Sequence, residues 1–317
     1  MIWLTWRQHR ALAAGALALL AAAAALLVPG GVHLRSTYAT LGLGSCAHGG
    51  GGSCSDLANA FEQATSASLS EHIAPWLNFL PGLLGVFIGA PLIARELEIG
   101  TYRLVWTQDV TRRRWLLTKL SALAGLTVLA AGAFTLLLTW YRWPIDQVNG
   151  RFFPNSFDFE GLVPTAYALF AFATGALAGT MIRRTVPAMA ATLITYVAIR
   201  ESVEAWLRPH YRQALTVAFD PARAVAGPST RSGDWTLGSG IADHTGTHLS
   251  TAATHQIYRA AGGGLPDYLH AHGLLRWVSY QPADRFWTFQ LIEAGIFLAL
   301  AVTLLIVSAQ WVRRRTR

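Results

Sequence analysis

Apolar residues in this chain gather in six runs and do not alternate with polar ones. The runs extend approximately from Ala11 to Val28, Trp76 to Ala94, Trp115 to Tyr141, Leu162 to Ile182, Val186 to Leu207 and Phe286 to Val312. About 20 helical residues, rising 1.5 Å each, cross a hydrocarbon core of about 30 Å. A barrel strand would instead need a two-residue alternation, which ALAAGALALLAAAAALLV lacks. The pattern predicts an all-α membrane protein with six transmembrane helices, a cytoplasmic helix between spans 2 and 3, and a large extracytoplasmic loop between spans 5 and 6. The first run has the basic start of a signal peptide, WRQHR. Its length and the lack of a prompt small-x-small site before Pro29 mark it instead as a retained span.

Composition agrees with a bilayer. Hydrophobic residues make up 53% of 317 positions and charged ones 13%, against about 25% charged in soluble domains. Basic residues set the orientation. With a cytoplasmic N-terminus, the inner segments hold Arg7, Arg10, Arg95, Arg103, Arg112, Arg113, Arg114, Lys119, Arg183, Arg184, Arg313, Arg314, Arg315 and Arg317, against Glu96, Glu98 and Asp109. The net charge of +8 is therefore a topological signal and calls for no nucleic acid. Both termini lie inside, in a bacterial cell membrane.

The outer segments are residues 29–75, the connection after span 3, and residues 208–285. Cys46 and Cys54 fall in the first and bracket AHGGGGS, a spacer flexible enough for a disulfide in an oxidising space. Metal ligation by Cys46, His48 and Cys54 is the alternative, and it lacks a fourth ligand. The third segment, with GPSTRSGDWTLGSG and AAGGGLPDYL, predicts turns and short helices without an independent core. In it, Asp243, His244, His248 and His255 have metal-binding residue types, but the intervening Thr-Gly-Thr does not favour the helix that would align them. A solvated loop is the preferred reading, with no metal site.

Other chemistry is excluded by motif. The single lysine lies in LLTKL, not in a glycine-rich phosphate loop, and GxSxG, HExxH and CxxC are all lacking. No catalytic residue is assigned and the chain is predicted to bind no cofactor of its own.

The cytoplasmic segment 95–114 is the most ordered in its charges. Gly100 breaks it and Thr101 can cap a helix through TYRLVWTQDV, with Tyr102, Val105, Trp106 and Val110 on one face. A positive-inside anchor would explain Arg112 to Arg114. It does not explain Glu96 and Glu98, since carboxylates do nothing for retention inside.

The stretch APLIARELEIGTYRLVWTQDVTRRRWLLTKL resembles the segment between the second and third spans of type-2 ABC exporter permeases, in particular their actinobacterial group. PADRFWTFQLIEAGIFLALAVTLL resembles the last span of that group, and WLTWRQHR its amphipathic entry. The resemblance implies a permease that pairs with a second copy in a homodimer and docks two copies of a separate ATP-binding subunit, which would carry ATP and Mg. It also implies that segment 95–114 is a coupling helix, with Glu98, Gly100 and Thr101 forming its turn, Arg112 and Lys119 its far end, and Glu96 a weaker match. A hydrophobic or amphipathic substrate (drug, lipid or peptide) follows from the resemblance alone.

Charges within the apolar runs are costly and mark function or partners. Span 5 has only fourteen apolar residues, Val186 to Ile199, before Arg200 and Glu201. Glu293 enters the last run at a similar depth. Two pairings are open: Arg200 or its neighbours with Glu293 at an outer gate, or Arg200 with Glu204 along one helix. Two other functions compete with the exporter, a receptor or immunity protein on the permease fold and a membrane metalloenzyme using the outer histidines.

Overall fold

The computed structural model describes residues 2–48, 52–66, 76, 79–99, 112–223 and 233–314. Six long helices carry the apolar runs: α1 (Ile2–Thr40), α3 (Leu80–Ile99), α4 (Arg112–Asn149), α5 (Val163–Ile182), α6 (Thr185–Ser202) and α9 (Phe286–Arg314). A short α2 (Gly52–Ser66) follows α1, while α7 (Thr251–Ala261) and α8 (Leu265–Ala271) lie between α6 and α9. Among the described residues, four stretches are long and apolar enough to cross a membrane: Arg10–Thr40, Leu117–Asn149, Val163–Ile182 and Ala283–Val312. Leu80–Arg95 is a shorter apolar helix.

Helices α1 and α4 outrun their apolar cores. The 39 residues of α1 span about 58 Å, nearly twice the hydrocarbon thickness, and Pro29 and Pro144 are accommodated within α1 and α4. The entry segment is therefore continuous with the first span, and the outer segment begins as helix and not as loop. Arg35 fixes this extension: its guanidinium donates to the Trp140 carbonyl at 2.5 Å and lies over the rings of Trp140 and Trp143.

The centre of the bundle is α5, whose side chains are buried on nearly every face. Small residues let α3 approach its backbone. A Cβ on Gly175 would sit 2.7 Å from the Ala90 nitrogen, and one on Gly179 would sit 2.7 Å from the Ala90 oxygen. Close backbone approach of this kind is how helices associate where apolar surface gains nothing from leaving lipid. Helix α9 covers a further side of α5 through Phe289, Phe297 and Ala301, all fully buried.

The segment 208–285 departs from the all-helical prediction. It holds a three-stranded antiparallel sheet, β1 (Leu215–Phe219), β2 (Trp235–Ala242) and β3 (Leu275–Gln281), in the order β1-β3-β2. Val217 pairs with Val278, and a bulge interrupts β2 between Thr236 and Gly238. Only Gly240 accommodates the Trp277 ring, since a Cβ there would lie 2.8 Å from the indole nitrogen. Trp235 of β2 joins Phe152, Phe157, Phe286 and Phe289 in one aromatic cluster, so the sheet is seated on the bundle and not suspended from it.

Candidate functional site

Four buried charges meet where the start of α5, the end of α6 and the start of α9 come together. Asp158 and Glu293 have fully buried side chains, while Arg200 and Arg208 are 3% and 1% exposed. Arg200 donates to Asp158 Oδ2 at 2.5 Å, and Arg208 donates to Asp158 Oδ1 at 2.6 Å. Arg208 also grips Glu293 with two bonds, Nη2 to Oε1 at 2.7 Å and Nε to Oε2 at 2.9 Å. Tyr167 of α5 donates to Glu293, and Tyr211 donates to its Oε2 at 3.1 Å.

Two cations balance two carboxylates here, and the fork of each arginine suits planar acceptors. Removing charges from water is expensive, so this cluster persists only because each member has a partner. Its register depends on the backbone. Over eight residues an α-helix turns about 80° beyond whole rotations, which would separate Arg200 from Arg208. A π-helical turn at Val203–Leu207 brings Arg208 back to the face of Arg200, and a 3-10 turn at Arg208–His210 ends the run.

Arg200 contacts Glu201 at 3.1 Å and Glu204 at 3.3 Å, and it reaches Glu293 through Asp158 and Arg208. Sequence reasoning missed Asp158, Arg208, Tyr167 and Tyr211. Asp158 had a signal, as an acid set between two phenylalanines in NSFDFEG.

Gln290 has a related task. Its side-chain oxygen accepts from the N–H groups of Leu162 and Val163 at 3.0 Å, and its nitrogen donates to the Phe157 carbonyl at 3.0 Å. A residue of α9 thus satisfies backbone groups at the start of α5. Nearby, burial and the neighbouring Asp146 carboxyl push Glu160, in the connection before α5, up to about 9.

At the opposite end, Glu98 lies on the last turn of α3. Its Oε2 accepts from the Thr185 hydroxyl at 2.7 Å and from the Thr185 N–H at 3.0 Å, at the start of α6. These bonds and the Arg184 charge hold its carboxyl below the usual range. Lys119 is buried in α4 beside Leu120 and Leu123. Arg112 begins α4, and Glu96 falls within α3, but the side chains of both, together with Gly100, Thr101 and the amphipathic stretch to Val110, lie outside the described residues.

The remaining candidates are separate from these two sites. Cys46 and Cys54 are joined by a disulfide. His248 stacks on Trp277 at 4.0 Å between ring centroids, and the Asp243 carboxylate accepts from Thr245 and Thr247 in a turn. Among the described residues no three His, Cys, Asp or Glu side chains gather as a metal site would require.

Neither curated proteins nor solved structures give a match. A family model described as ABC-2 membrane transporter related matches residues 17–208. That stretch runs from within α1 to Arg208 and so includes three of the four buried charges. It supports a permease of the ABC-2 type, a class of transmembrane subunit that in general works with an ATP-binding partner. The chain belongs to the ABC-2 membrane transporter related family.

Proposed function

We propose that this protein is the permease subunit of an ATP-driven exporter, a homodimer that docks two ATP-binding subunits through segment 95–114. All six long helices cross the bilayer, with both termini cytoplasmic and the sheet outside. The substrate is hydrophobic or amphipathic and passes between the permease subunits. ATP and Mg belong to the partner, since the sequence has no phosphate loop of its own.

The observation that carries this reading is the Glu98 contact. The carboxylate stands immediately before segment 100–111 and is bonded to the first residue of α6. Displacement of that segment by a soluble partner would therefore act on a second helix as well as on α3. The buried charges at the far end tie α5, α9 and the end of α6 together within one subunit, so that these helices move as a unit.

The test is affinity purification from native membranes in mild detergent, with wild type beside Glu98→Arg. An ATP-binding subunit recovered with wild type and lost with the variant is the expected result. Recovery with both would overturn the role of Glu98 in docking, and recovery with neither would overturn the permease assignment.

A further inference from the structure

Helix α6 does not cap itself. Arg184, the residue before it, is extended and makes no side-chain cap bond. The first N–H groups of a helix have no intrahelical acceptor. Glu98 of α3 provides one from outside, and it places a carboxylate at the positive end of the α6 dipole.

The other end of α6 holds Arg200, whose partners are Asp158, Glu201 and Glu204. The helix that joins them, Thr185–Ser202, is 18 residues long, a rigid length of about 27 Å. Between them α6 is guided along one side only. Ala188 is fully buried and the Tyr196 ring fills the space at Gly82 of α3. Val186 and Ile194 face outward, 75% and 69% exposed. Helix α6 is therefore held at its two tips by polar contacts and along its length by one buried face, on which the Tyr196 ring packs against Tyr167 and Phe170 of α5. A helix in that position passes on a shift of its inner tip as one rigid piece, because its own backbone bonds resist compression. The π-helical turn beyond Ser202 is the natural place for the outer end to absorb such a shift.

We infer that α6 is a transmission rod whose position is set at its inner tip by Glu98 on Thr185 and expressed at its outer tip by Arg200 in the buried charge cluster. Glu98 is a positioning residue for that cluster. The inference rests on the permease reading, in which segment 95–114 is moved by a soluble partner, and it adds the route by which that movement reaches the exterior.

The test uses the full chain in lipid nanodiscs with one introduced thiol, Ser202→Cys. Ser202 is exposed at the outer tip and bonds only the Ala198 carbonyl of its own helix. The native cysteines are bonded to each other, so an impermeant maleimide reads the new thiol. Glu98→Ala is expected to change the labelling rate at least threefold and Glu98→Gln, whose amide oxygen still accepts, by less. A control thiol on β2, Ser239→Cys, is expected to be unaffected. Adding Arg200→Lys should make the effect of Glu98→Ala smaller than in its absence, since coupled sites are not additive. An unchanged rate at Ser202→Cys, an equal change at Ser239→Cys, or additive effects with Arg200→Lys would each overturn the rod. No ATP-binding subunit enters this measurement, so its failure and that of the permease reading are distinguishable.

Discussion

Arg208 and Glu293, 85 residues apart in sequence, face each other through two hydrogen bonds of 2.7 and 2.9 Å with neither side chain more than 1% exposed. The pair joins the turn after α6 to α9 against Tyr167 of α5, and Asp158 extends it to Arg200. Breaking a buried pair from one side leaves the other charge uncompensated, which costs about 3–5 kcal/mol, whereas replacing both partners is often neutral. Arg208→Met is therefore expected to destabilise the protein by about that amount. The double replacement Arg208→Met with Glu293→Leu is expected to recover a large part of the loss, with Asp158 still served by Arg200. Thermal unfolding in detergent of the two single variants and the double variant checks this.

Backbone contact between α3 and α5 gives a second prediction. Gly175→Ala would place a methyl group 2.7 Å from the Ala90 nitrogen, closer than carbon and nitrogen tolerate, and the three nearest atoms are all backbone. Overpacking of this kind costs about 1–3 kcal/mol. Gly125→Ala, on α4 with open space around it, is expected to be neutral or slightly stabilising in the same unfolding measurement.

Glu160 gives a pH dependence. Its carboxyl is pushed up to about 9 by burial and by Asp146 beside it, so the folded protein holds a proton there that the unfolded chain releases near 4.5. The associated stability is full below that lower value and is lost as pH rises through about 9. Melting temperature should therefore fall between pH 6 and pH 9.5 in the wild type, and Glu160→Gln should flatten that slope. An equal slope in both proteins would assign the effect to other groups.

The disulfide gives a fourth. Cys46 and Cys54 are eight residues apart, and a loop of that size contributes about 2.5 kcal/mol by restricting the unfolded chain. Replacing both by serine should lower the melting temperature without altering the α1–α4 contact at Arg35, and the quenching of Trp140 and Trp143 is the readout for that contact.

The helices were legible because apolar runs report directly on them: the run Leu162 to Ile182 coincides with α5, and the run from Phe286 with α9. The extensions of α1 and α4 were not, since VHLRSTYAT carries no apolar stripe and a proline stands before it. The sheet was hidden for another reason. WTLGSGIA is rich in glycine and serine because Trp277 needs room at Gly240, and those residues read as turns. Arg200 and Glu293 stood out as charges in apolar runs. Asp158 and Arg208 lie just beyond such runs, and only the π-helical turn and the folding back of the Phe153–Gly161 connection bring them inside. Glu98 was legible as an unexplained charge, but its Thr185 partner, 87 residues away, required the fold.

The central claim, a permease dimer working with two ATP-binding subunits, is tested most directly by native mass spectrometry of the complex released from its own membrane. The account predicts a particle holding two copies of this chain and two of an ATP-binding subunit, which loses the latter when Glu98 is replaced by Arg. A particle containing this chain without any ATP-binding subunit, under conditions that preserve its own dimer, would contradict it.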